Sequence, residues 1–226
     1  MTQSSLPNAQ AWMAAGVQHA VLIRALPAVR HDLASPMSVM RMGMTVLKRR
    51  LANGGDAQPE QSVERVVQLE EQMLILGDHV RRLRHWDLNI HERQPARATL
   101  HQAIELAKPL LALRGVMLES LPDGEQEPRA DERPVAHHTL LYVTLGAIYH
   151  LAETPDAPPA QVVAELTPTA IRLRAQGTPG ADALPPLVTA GAQGTQPIDA
   201  AALQCLAEHL GVAVQCAPRE VVIALA

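Results

Sequence analysis

The chain contains no phenylalanine, and its few Trp and Tyr residues bring the aromatic content to only 2%. Base stacking on aromatic platforms is therefore disfavoured, and the core has to be built from Leu, Val, Ile, Ala and eight Met. Cysteine is nearly missing too. Cys205 and Cys216 show neither a CxxC motif nor a Cys/His pair at metal-ligand spacing. Positive charge is not in excess: the formal net charge is −4 and the pI is near 6.2. That leaves no basic footprint for DNA or RNA and favours a protein or small-molecule partner. Runs of eighteen apolar residues and a secretory apolar region are also absent. The expectation is a soluble cytoplasmic protein with reduced thiols and no membrane contact.

What is present is apolar material in quantity, 47% of 226 residues, enough for a core in one large domain or two small ones. Its first organised pattern is a heptad, with Leu33, Met40 and Leu47 at one position and Met37, Met44 and Leu51 at the other. After the Gly- and Pro-containing stretch "ANGGDAQPEQ" a second seam follows, in which Val66, Met73 and Val80 alternate with Leu69, Leu76 and Leu83. Two long helices joined by a short loop predict an antiparallel hairpin. A lone hairpin leaves much of its stripe uncovered. Two-fold self-association into a four-helix bundle buries it most simply, so a homodimer is expected. The alternative is that the stripe packs on the second half of the same chain.

Beyond "HERQPARATL" the texture changes, which divides the chain into a helical domain over residues 1–94 and a second domain over 95–226. The second reads as an amphipathic helix near 100–114, a strand at "VMLESLP", a helix at "PVAHHTLLYVTLGAIYHLAE" and strands at "QVVAEL" and "AIRLRAQG". A Gly/Pro-rich loop, a helix at "IDAAALQCLAEHLG" and strands at "VAVQCAP" and "EVVIALA" complete it. Interleaved helices and strands of these lengths predict an α/β layer sandwich.

The chemistry concentrates in "RHDLASPM", residues 30–37. His31 is flanked on its helix face by Pro27, Ala28, Ala34 and Ser35, with Ser38 a turn further on, and every one of these side chains is short. An imidazole standing on such a strip is open to close approach by another protein. The same small residues would also suit tight helix packing. Pro36 tips the balance, because a proline inside a helix costs about 3 kcal/mol or more and leaves the Asp32 carbonyl without its usual donor. Such a cost suits a site, although Pro36 also reads as a helix boundary. An exposed imidazole, with an unperturbed pKa of ~6.5, is mostly neutral near neutral pH and can act as a nucleophile. Asp32 could take the proton on one ring nitrogen and leave the other lone pair free. Met42, off the seam, would offer an adaptable contact beside the site.

These residues resemble the H-box of two-component sensor histidine kinases: His31, Asp32, Leu33, Ala34, Ser35, Pro36, Met37 match its order of His, acid, apolar, any, Thr/Asn/Ser, Pro, apolar. In that family the histidine sits on the first helix of a dimeric hairpin and carries the phosphoryl group. The resemblance implies this role for His31, with Asp32 as the assisting acid and Ser35 at a position tied to phosphatase activity. It implies a receiver-docking surface of Ala28, Ala34, Ser38 and Met42.

The second half looks like the family's Bergerat-type ATP-binding domain in degenerate form. "YVTLGAIYH" puts Gly146 where an Asn would help hold Mg²⁺, and Ala175 falls where an Asp would read adenine. Gly177 is kept, and Gly191 and Gly194 are the candidates for lid glycines. Losing those polar contacts removes what orients a nucleotide.

A dimeric hairpin with an H-box and a ruined nucleotide site resembles histidine phosphotransferases of the ChpT type. That implies phosphoryl relay between receiver aspartates through His31 without ATP, no cofactor on this chain, and Mg²⁺ on the receiver only. Partners would be receiver domains of response regulators and a hybrid sensor kinase. Two other readings stand beside it: a pseudokinase module that binds a two-component partner without carrying phosphate, and a divergent active histidine kinase. His137 and His138, adjacent and so about 100° apart on a helix, read as a solvated helix start rather than a chelate. The basic stretch "VRRLRHWDL" reads as a solvated face or an acidic partner's contact, with Trp86 and Leu88 as inter-domain packing.

Overall fold

The computed structural model describes residues 7–52, 59–86, 91–119, 134–153, 158–178 and 196–225. It divides into two compact units, Ala28–Asp87 and the combination of Met1–Pro27 with Leu88–Ala226. A helix-rich first part is followed by a mixed sheet with helices, the α then α/β order read from the sequence.

Helix α1, Pro7–Ala52, runs for 46 residues without interruption. Pro36 therefore marks no boundary. The ring is buried, so a side chain that costs a backbone hydrogen bond faces inward rather than breaking the helix. Helix α2, Pro59–Arg82, follows and ends in a 3₁₀ turn, Leu83–Trp86. The two helices pack against each other at Gly43, where an added Cβ would lie 2.8 Å from Leu69 Cδ2. Within Ala28–Asp87 the only buried described residues are Ala28, Pro36 and Gly43.

The heptads split in two. Leu33, Met40, Leu47, Leu69 and Leu76 are half-buried, whereas Met37, Met44, Leu51, Val66, Met73 and Val80 are exposed.

The other unit opens with a ribbon that the sequence did not announce. Strand β1, Arg93–Pro95, pairs antiparallel with β3, Pro134–Ala136, and each strand leads straight into a helix. These helices are α3, Ala96–Leu113, and α4, His137–Ala152. The main sheet has the order β2-β4-β5-β7-β6 and comprises Met117–Leu118, Gln161–Leu166, Ala170–Gln176, Glu220–Ala224 and Val214–Ala217. Only the β2–β4 pair is parallel. Its strands alternate, with Val162, Ala164, Ile171, Leu173, Val221 and Ile223 buried on one face.

Helix α4 covers that face and packs between α3 and α5, Ala200–His209. Of its sixteen residues fourteen are buried, which makes it the centre of the core. Asp199 caps α5 by accepting from Ala202 N–H at 2.7 Å. The first half of α1 belongs to this unit and turns Ala14, Gln18, Val21 and Ala25 inward at helical spacing.

His137 and His138 are not a solvated helix start. They are 1% and 9% exposed, because α3 and the β1–β3 ribbon cover the first turn of α4. His137 Nδ1 lies 2.7 Å from Thr99 Oγ1, and His138 Nε2 lies 3.1 Å from Thr139 Oγ1. Burial, and then the nearby His91, push the His138 pKa below its ordinary value. No described helix is long and apolar enough to cross a membrane.

Candidate functional site

His31 sits on a helix that passes beneath it unbroken, so its backbone is fixed while its ring is free. The side chain is 81% exposed, and Nδ1 lies 3.5 Å from Asp32 Oδ1. The two side chains approach each other even though consecutive helical positions point apart. With the ring proton on Nδ1, held towards the carboxylate, the Nε2 lone pair faces solvent. Asp32 is about half exposed, at 46%, so the pair is a surface feature with little electrostatic weight on folding.

Around the ring the structure gives each residue named from the sequence a definite place. Ala34 and Ser35 are exposed, as is Ser38, whose hydroxyl donates to the Ala34 carbonyl at 2.9 Å. That internal bond keeps Ser38 compact. Met42 is 71% exposed, and Ala28 is 5% exposed and presents no surface. Arg81, in the basic stretch, pairs with Asp78 at 2.8 Å, Trp86 is half-buried and Leu88 lies outside the described residues.

Far along the chain, Gly146 lies in the middle of α4. A Cβ there would stand 3.2 Å from Leu203 Cδ1, 3.3 Å from Leu206 Cδ2 and 3.7 Å from Val21 Cγ2. Three apolar side chains from α5 and α1 thus fill the direction that an asparagine would have to take. Ala175, near the end of β5, pairs with Val162 and offers no carboxylate. Gly177 follows at φ +68°, with a Cβ position 3.0 Å from Ala160 Cβ, so both backbone angle and space require glycine. Gly191 and Gly194 lie outside the described residues. Neither Gly146 nor Ala175 carries a polar side chain that could contact a magnesium nucleotide. Among the described residues no group of three His, Cys, Asp or Glu is placed to hold a metal.

A buried ion pair that no sequence motif announced ties the first half of α1 to the end of α4. Arg24 donates from Nε to Glu153 Oε1 at 2.6 Å and from Nη2 to Oε2 at 2.8 Å, and Arg114 Nη1 lies 2.7 Å from Oε1. Arg24 also donates to the carbonyls of Ala20 and Gln196, both at 2.9 Å. Ile198 N–H donates to Glu153 Oε2 at 3.3 Å. Arg24 and Glu153 are 4% and 5% exposed. Burial raises the Glu153 pKa, and the two guanidiniums outweigh it, so the carboxyl titrates below its ordinary value. The one sequence signal was that Arg24 ends a stretch, residues 7–23, with no Asp, Glu, Lys or Arg.

No family model matches the chain and no curated protein matches it. Among solved structures it is similar to the Acinetobacter baumannii histidine kinase AdeS, with TM-score 0.36 and 14% identity over 87% of this chain and 97% of that one. A likeness at that distance fixes neither family nor activity, and the functional reading rests on the chain's own residues.

Proposed function

We propose that the chain is a histidine phosphotransfer protein of the ChpT type, a phosphotransferase that relays phosphoryl groups between receiver aspartates through His31 and does not use ATP. The observation that carries this reading is the exposed His31 ring, with the Asp32 carboxylate 3.5 Å from Nδ1 and the exposed Ala34, Ser35 and Ser38 nearby on the helix. In the first half-reaction the Nε2 lone pair attacks the phosphorus of an aspartyl phosphate. The N–P bond forms as the acyl-phosphate P–O bond breaks, and its electron pair returns to the receiver carboxylate. Asp32 balances the positive charge on the ring. A second receiver aspartate then reverses the step. The metal that neutralises phosphoryl charge is expected on the receiver, whereas Gly146 and Ala175 supply no group for a nucleotide on this chain.

The short side chains beside His31 let a receiver approach, and Met42 offers a deformable apolar contact. A homodimer completes the picture. Met37, Met44, Leu51, Val66, Met73 and Val80 form the exposed half of the heptads, and a two-fold four-helix bundle would cover them.

The test is to incubate the purified chain separately with radiolabelled ATP and with a phosphorylated receiver domain from the same cell. Acid-labile, base-stable label should reach wild type from the receiver alone and should not reach His31→Gln. Label from ATP would make the protein a kinase. Label from neither source would favour a binding module that carries no phosphate.

A further inference from the structure

The first half of α1 and the start of α5 enclose an apolar groove of about 580 Å³. Gly16, Val17 and Ala20 line one side, and Ile198, Ala201 and Ala202 the other. A Cβ on Gly16 would meet nothing within 4 Å, so the groove is open there. One turn before it Trp12 is 70% exposed, with Met13 beside it at 63%. Residues 7–23 carry no Asp, Glu, Lys or Arg, which is unusual for a helix face left to water.

We infer that this groove receives the same stretch of α1 from a second copy of the chain, an inference that rests on the homodimer proposed above. Three observations select a second copy. In the sequence register Trp12, Gly16, His19, Ile23 and Leu26 follow alternating steps of four and three, and the same count through Arg30 reaches Leu33, Met37, Met40 and Met44. The positions expected at the hairpin's seam thus continue along one helix. An isologous contact also requires the inserting and the receiving feature to lie side by side on one surface. Trp12 and the open space at Gly16 do so. Finally, charged side chains that would select an oppositely charged partner are scarce: among the described residues Asp199 is the sole Asp, Glu, Lys or Arg lining the groove, and it is engaged as the α5 cap. Each α1 would then lie between α1 and α5 of the other copy, with Trp12 packed beside Gly16 across the two-fold axis.

The experiment measures the dimer dissociation constant of the full chain by sedimentation equilibrium for wild type, Trp12→Glu, Ile23→Glu and Met44→Glu. Circular dichroism verifies that each variant is folded. The positions altered are exposed within one chain, Ile23 at 38% and Met44 at 56%. Trp12→Glu and Ile23→Glu should each weaken the dimer by about tenfold or more. Ile23→Cys, in a Cys205→Ser, Cys216→Ser background, should form a covalent dimer under mild oxidation. If Met44→Glu dissociates the dimer while Trp12→Glu and Ile23→Glu change it by less than about twofold, the inference is overturned and the homodimer stands. If wild type is a monomer at every concentration, both fall. If Trp12→Glu spares the dimer but weakens receiver binding, the groove belongs to the receiver and the inference is overturned.

Discussion

The helical unit and the α/β unit solve the burial problem in opposite ways. Helix α4 buries fourteen of its sixteen residues, and even the charged group next to its end, Glu153, is enclosed by two guanidiniums. Between Ala28 and Asp87 only Ala28, Pro36 and Gly43 are buried among the described residues, and much of the apolar heptad faces outward. A core of three small side chains stabilises little by burial. The α/β unit encloses its central helix within one chain, whereas the hairpin leaves much of its apolar surface and His31 exposed.

That contrast breaks most readily at Glu153. Glu153→Gln leaves the buried Arg24 and the partly buried Arg114 without their counter-charge and should destabilise the fold by about 3–5 kcal/mol, read as a lower urea midpoint. The pH dependence has a definite sign. Because the folded-state pKa lies below the ordinary value, the Glu153 contribution is present above the ordinary carboxylate range and is lost as pH falls through the folded value. Wild type should therefore lose stability more steeply than Glu153→Gln on acidification.

Gly146→Asn comes next. Leu203, Leu206 and Val21 leave it no room, so it should cost about 1–3 kcal/mol by overpacking and lower Tm. It should restore no magnesium-ATP binding by calorimetry, since the carboxylate at position 175 is still missing.

The hairpin should respond far less. In Gly43→Ala the new methyl meets the flexible end of Leu69, while alanine favours the helix by about 1 kcal/mol. The net change in urea stability should lie within about 1 kcal/mol of zero. Smallest of all, His31→Gln at an 81% exposed position should shift stability by no more than about 0.5 kcal/mol. Loss of phosphoryl acceptance without loss of fold would sharpen the contrast, and a large Tm change in His31→Gln would break it.

Legibility in the sequence followed the same division. Period-two strands such as Gln161–Leu166 were readable because each residue's face is set by local alternation. The long helices were readable from their heptads, and the contact between His31 and Asp32 from their adjacency. The β1–β3 ribbon was not, since three-residue strands carry no period and their pairing joins residues about forty apart. His137 and His138 were misread for a related reason: two polar residues at a helix start look solvated until another element is known to cover them.

By itself the sequence determined the two long helices, the short side chains around His31, and the glycine and alanine at positions 146 and 175. These are local matters of spacing and residue type. Only the tertiary structure decided that the first half of α1 joins the α/β unit, that Val21, Leu203 and Leu206 close the space over Gly146, and that Glu153 holds Arg24 from 129 residues away. Long-range packing and buried ion pairs depend on which surfaces meet, and no local pattern encodes that.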